Sequence, residues 1–204
     1  MGNMWRFGVA LAAATVMLGS VGLGRQAEAK ELSDKSVKVL MDYAWQILPS
    51  KFTMPDRRVV EVDKKNKKQE TMIPPDVARE VIKVGYLSAQ AQLCEMWEEQ
   101  AQNYDAMIHL QQIKHHWTQQ QLLYITTLHR MTIHMAAGKL KVTDKKGERS
   151  VELEPIEPSK KTCNDEKRAK VKAEVAANVK AAMAADPKLQ KKSENNVVPA
   201  AQKK

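Results

Sequence analysis

The side chains of this chain best suited to chemistry are its five histidines, and all of them lie between His109 and His134. Imidazole is a ligand for zinc and copper and a proton carrier near neutral pH. Spacing decides which of these uses is open. A helical zinc site sets two histidines at i, i+4 with a carboxylate beside them, as in H-E-x-x-H. Here His109 and His116 are seven apart, His129 and His134 are five apart, and His115 and His116 are adjacent. No pair has the zinc spacing. Copper also accepts thioethers, and the stretch HRMTIHM carries His129, Met131, His134 and Met135. Met131 and His134 adjoin at i, i+3 on a helix. The metal ligands to test are therefore His129, Met131 and His134 for copper, with His109 as a donor from the preceding helix. Against this, Met131 and Met135 also continue an apolar stripe through Leu128, which is how core methionines are spaced.

Acid–base catalysis would draw on Glu95, Glu98 and Glu99 with His109. Such groups must converge on a pocket that tunes their pKa values. Successive carboxylates on an amphipathic helix more commonly form a solvated face. The sequence has neither a nucleophile elbow nor a glycine loop to cradle phosphate, so no enzymatic activity is expected. The two cysteines, Cys94 and Cys163, are expected to form a disulfide, which removes both thiols as nucleophiles. That bridge closes a loop of roughly 70 residues, worth about 4 kcal/mol in the chain-entropy model.

The disulfide follows from the compartment, and the N-terminus indicates the compartment. Arg6 is followed by an apolar run from Phe7 to Leu23 and then by Ala27-Glu28-Ala29, a small-x-small cleavage pattern. That order predicts a signal peptide over 1–29, cleaved after Ala29, and a periplasmic or secreted product. The apolar run is 17 residues and holds Gly8, Gly19 and Gly22, short for a membrane span of about 20. The mature chain is therefore not expected to be integral to a membrane. An exported chain meets an oxidising environment and no nucleic acid.

Charge separates the rest of the chain into two parts. Residues 30–158 hold 19 basic and 18 acidic residues, a net of +1, whereas 159–204 hold 12 and 5, a net of +7. The basicity belongs to the tail. Its expected partner is an envelope protein or an anionic envelope surface. The stripe in the tail carries no Trp, Phe or Leu, which argues against deep insertion.

The elements that must position these residues are helices. Val37, Leu40, Met41, Ala44, Trp45 and Leu48 recur at helical intervals, with Ser33 to cap and Pro49 to stop, so the first helix spans 33–49. From Pro75 an apolar stripe runs through Val77, Val81, Val84, Leu87, Ala91 and on to Ile113. Asp76 is the expected cap. A helix to His116 would reach about 60 Å, long for one domain, so a break is expected near Asn103. Thr118 and Gln121 make a capping box with Trp117 and Leu122 as a hydrophobic staple. His115-His116-Trp117 is then the corner of a helical hairpin, 76–137, whose second arm ends before Gly138.

Two stretches alternate as strands. Val60 and Val62 lead into the turn Asp63-Lys64-Lys65-Asn66, with 69–73 as the return. Leu140 and Val142 lead into Asp144-Lys145-Lys146-Gly147, with Val151 and Leu153 returning. The two hairpins are expected to share a small sheet. Beyond Glu157 the chain turns rich in alanine and lysine. Val171, Val175, Val179 and Met183 make a thin i, i+4 stripe to Asp186-Pro187, and 188–204 have the composition of disorder. The fold class expected is mainly α: a helical hairpin or small bundle with one or two β-hairpins over 30–158. A basic Ala/Lys-rich helix and a basic, partly disordered tail follow over 159–204. The leading functional expectation is an exported, non-enzymatic interaction or structural protein; the alternative is a periplasmic copper binder.

Overall fold

The computed structural model describes residues 32–53, 57–65, 67, 71–145, 148–157 and 163–186. The expected signal peptide, and the part of the tail expected to be disordered, lie outside these residues. The described chain is mainly helical, with two small antiparallel hairpins: α1 (Asp34–Gln46), β1 (Lys51–Thr53), β2 (Val59–Glu61), α2 (Pro75–Leu93), α3 (Trp97–Lys114), α4 (Gln119–Ala136), β3 (Leu140–Lys145), β4 (Glu148–Leu153) and α5 (Asp165–Ala185).

Local chemistry sets most of the helix ends. Ser33 accepts a hydrogen bond from the Ser36 N–H and caps α1. At α4 both halves of the capping box form. The Gln121 N–H donates to Thr118 Oγ1 at 3.2 Å, and the Thr118 N–H donates to Gln121 Oε1 at 2.9 Å. The far end of α4 closes on Gly138, whose φ of 70° suits a residue without Cβ. The Lys139 N–H reaches the His134 carbonyl and the Gly138 N–H reaches that of Met135, the paired bonds of a Schellman turn.

Two helix boundaries differ from expectation. Asp76 lies in the first turn of α2 rather than at its cap. Pro74 holds the cap position and Pro75 the first helical one, where a missing N–H costs nothing. The long helix breaks at Cys94–Met96, not near Asn103. Glu95 takes a left-handed conformation, φ 56°, and the Met96 N–H folds back to the Ala91 carbonyl. Glutamate is not a residue that advertises such a turn.

Three helices supply most of the main core. Val37, Leu40, Met41, Ala44 and Trp45 of α1 meet Val77, Ala78, Val81 and Ile82 of α2 and Tyr124, Ile125, Leu128 and Met131 of α4. Tyr124 donates to the Met41 carbonyl at 2.7 Å and stands edge-on to Trp45, with ring centroids 5.8 Å apart. Gly85 lets α2 approach α4 closely: a Cβ there would lie 2.7 Å from Thr132 Cβ. A second, smaller cluster joins Leu87, Ala91, Cys94 and Met96 to Val171 and Val175 of α5.

The hairpins form two separate two-stranded sheets rather than one shared sheet. The second matches expectation, with Leu140 opposite Leu153 and Val142 opposite Val151. In the first, the Val60 strand pairs backward. Phe52 faces Val60, so the partner precedes the strand in sequence, and Thr71–Ile73 are not in a strand. Phe52, between Lys51 and Thr53, supplied a short strand pattern of its own.

The disulfide joins Cys94 to Cys163, with Cα atoms 5.3 Å apart. It pins the root of α5 to the corner between α2 and α3. Asn164 then caps α5 by accepting from the Lys167 N–H at 2.9 Å. This helix packs along α3 and touches α2. Only the first half of the valine stripe is buried. Val171 and Val175 are covered, but Met183 is 56% exposed and Ala182 takes the inner place. Steps of four drift about 40° each around a helix with 3.6 residues per turn. Val171, Val175, Asn178 and Ala182 hold one face; a strict i, i+4 stripe does not.

Candidate functional site

The largest concentration of buried polar chemistry sits where four helices meet. His129 of α4 is 4% exposed, and its Nε2 lies 2.9 Å from Ser88 Oγ of α2. Asn103 of α3 donates from Nδ2 to the same Ser88 oxygen at 2.9 Å and to the Val84 carbonyl at 3.1 Å. Asn178 of α5 donates to Asn103 Oδ1 at 2.9 Å. Tyr104 of α3 lays its ring 5.2 Å from the imidazole and engages Thr126 through its hydroxyl.

Burial pushes the His129 pKa down from 6.5 to about 4, so the ring is neutral at physiological pH. A consistent set of proton positions follows. Asn178 donates to Asn103, Asn103 donates to Ser88, and the Ser88 hydroxyl gives its proton to His129 Nε2. Each buried polar group in this relay has a partner, as an interior network requires.

The constellation contains a hydroxyl against an imidazole, the pairing that activates a serine nucleophile. Access decides against that use. Ser88 and Asn103 are fully buried, and Ser88 lines none of the three cavities described below. What the geometry does is join α2, α3, α4 and α5 at one polar point.

The residues considered for metal and acid–base chemistry are dispersed. His129 is committed to Ser88. Met131 is fully buried in the main core. His134 donates from Nδ1 to the Glu154 carbonyl at 2.8 Å, and burial lowers its pKa while that bond opposes the shift and Arg130 adds to it. Among the described residues, no group of three or more His, Cys, Asp or Glu side chains is placed to hold a metal ion. His109 pairs with Asp186 at 3.0 Å on the α3–α5 face. His115 stacks on Trp117, centroids 4.5 Å apart. Glu95, Glu98 and Glu99 line an open depression with the exposed Trp97, Arg168 and Lys172. Glu98, His109 and His129 therefore stand in three different surroundings.

Two cavities follow the seam between α3 and α5. The outer one is an open groove of about 460 Å³, lined by Gln102, Asp105, Ile108, His109, Val179 and Met183 among others. The inner one, about 80 Å³, lies against Asn103, Gln111 and Asn178. Gln111 is 2% exposed. Its amide nitrogen reaches Glu80 at 3.3 Å, while its Oε1 is buried without a partner. This seam is packed less completely than the α1–α2–α4 core.

Ser88, Asn103 and Asn178 were the residues sequence reasoning missed. Each occupies an inward position in a helical period otherwise taken by apolar residues. A polar residue in a core register is the signal that marks them.

No protein-family model, curated protein or solved structure matches this chain.

Proposed function

We propose that this is an exported, non-enzymatic interaction protein. Its folded body is a disulfide-stapled scaffold, and its basic C-terminal region attaches it electrostatically to an anionic surface of the cell envelope. The observation that carries this reading is the division of the chain. Residues 30–158 are nearly neutral at +1, and 159–204 carry +7. Lys170, Lys172 and Lys180 of α5 are exposed. Lys170 is partly offset by Glu174 at 3.8 Å, and five of the tail's twelve basic residues lie beyond Asp186. The non-enzymatic part is supported by the sealed Ser88–His129 pair. Export is supported by the leader-like N-terminus and is consistent with the disulfide. No helix among the described residues is long and apolar enough to cross a membrane.

The test uses the mature protein and a form ending at Asp186, which keeps α5 and the disulfide. Each is sedimented with vesicles of anionic or zwitterionic lipid over a range of salt. The full protein should bind the anionic vesicles alone, release them as salt rises, and lose most binding on truncation. Equal binding by the two forms, or none by either, overturns the attachment role. An intact Met1 in protein from its native source overturns export.

A further inference from the structure

Hydrophobic contacts in this fold fall into two groups, and α5 belongs to only one. The main cluster draws its buried members from α1, α2, α3, α4 and the segments around Val62 and Ile73, and includes no residue of α5. The smaller cluster holds Val171 and Val175 and is centred on the disulfide. Along the 21 residues of α5, Val171, Val175 and Ala182 are the buried ones. Val179 adds a partly buried apolar contact, and the remaining anchors are polar: Asn178 on Asn103, and His109 on Asp186 at the helix end. Both seam cavities, and the orphaned Oε1 of Gln111, lie along this helix pair. An alanine-rich helix with so small an apolar face gains little from docking. The covalent bond at its root therefore bears much of the task of holding it in place.

We propose that the Cys94–Cys163 disulfide is a redox latch: when a dithiol reductant opens it, α5 leaves the face of α2 and α3 while the α1–α2–α4 core stays folded. The two sulfurs are not equivalent. Cys94 is 1% exposed, and Cys163 is half-buried. A thiolate of the reductant attacks Cys163 Sγ, forms a mixed disulfide, and expels Cys94 as a thiolate that takes up a proton. The reductant's second thiolate then attacks its own sulfur in that mixed disulfide. This releases Cys163 and leaves the reductant oxidised. Two electrons have passed to the protein, and two thiols replace one disulfide. The uncovered face carries Leu87, Ala91, Asn103 and Ala106. This device is independent of the attachment role proposed above.

Its magnitude follows from the loop that matters while the body stays folded. That loop is not the 69-residue separation of the cysteines. It is the stretch of about ten residues between the end of β4 and Cys163. Opening a loop of that length frees the detached state by a factor on the order of 100. Hydrogen exchange measured by mass spectrometry, on the mature protein with and without dithiothreitol, tests this. Alkylation counts the thiols in each sample. Protection along α5 should fall up to about 100-fold, with α1, α2 and α4 unchanged. A Cys94→Ala/Cys163→Ser variant should match the reduced protein. If α5 keeps its protection once both thiols alkylate, packing alone holds it and the latch is refuted. If all helices lose protection together, α5 is part of one cooperative core and the latch is equally refuted.

Discussion

His129 should make the protein acid-sensitive by an amount that its burial sets. In the fold, its pKa is about 4; in the unfolded chain it takes the ordinary value of 6.5. The unfolded chain therefore binds a proton first as pH falls. Stability is fully present above pH 6.5, declines between the two values, and levels off below about 4, where the folded ring also accepts a proton. At 1.36 kcal/mol per unit the loss amounts to about 3 kcal/mol. The ring is 4% exposed, so solvent screening does little to reduce it. Desolvation is the sole cause of the shift, and the groups in contact are uncharged: Ser88 and Tyr104. The control is His129→Gln, whose amide oxygen can accept from Ser88 without titrating. Urea unfolding followed by tryptophan fluorescence, from above pH 7 to about pH 4, gives both stability curves. Carboxylates act in both proteins and cancel in the difference. The wild type should lose about 3 kcal/mol more than the variant over this window. Parallel curves would refute the buried, neutral histidine.

Three substitutions probe the positions where backbone or network is constrained. Gly85→Ala places a Cβ 2.7 Å from Thr132 Cβ and should cost about 1–3 kcal/mol by overpacking, read as a lower urea midpoint. Glu95→Gly relieves a left-handed residue with φ 56° and should raise that midpoint, by up to about 1 kcal/mol; a fall would mean that the glutamate side chain contributes more than the backbone strain costs. Asn178→Ala strands the buried Asn103 Oδ1 and should cost about 1–3 kcal/mol, with the loss of amide protection concentrated in α5.

Elements defined by local chemistry were legible in the sequence. The capping box at Thr118, the Gly138 stop and the Leu140–Leu153 hairpin all depend on neighbours a few residues apart. The disulfide was also legible, because a chain with two cysteines has one intramolecular pairing. What failed depended on longer range or on an unusual local state. The break at Glu95 uses a left-handed glutamate, stabilised by packing around Cys94 and Met96 rather than by its own propensity. The Val60 strand pairs with a three-residue strand around Phe52, not with the return expected after the turn. The tail offered only a thin apolar stripe in the sequence, and a satellite cluster and two asparagines complete its contact. The histidines drew attention by their number, yet Ser88, Asn103 and Asn178 decide what His129 can do. A single side chain's type says little about chemistry until its burial is known.

The polar node also resolves an ambiguity that apolar packing leaves open. Val171, Val175 and Val179 repeat every four residues in α5. A one-turn slide that brings Val175 and Val179 to the places of Val171 and Val175 keeps valine where valine had been, whereas the opposite slide brings Lys167 to the place of Val171. The asparagine contact survives neither slide. Glu174 or Ala182 would come opposite Asn103 in place of Asn178. One brings a charge into a buried position and the other leaves Asn103 Oδ1 without a donor, a penalty of about 1–3 kcal/mol for the neutral case and more for the charged one. The relay from Asn178 through Asn103 and Ser88 to His129 thus discriminates between registers, the best-attested use of single buried polar residues at helix interfaces. With the disulfide fixing the root and Asn178 fixing the register, a helix with three buried residues has one place to dock.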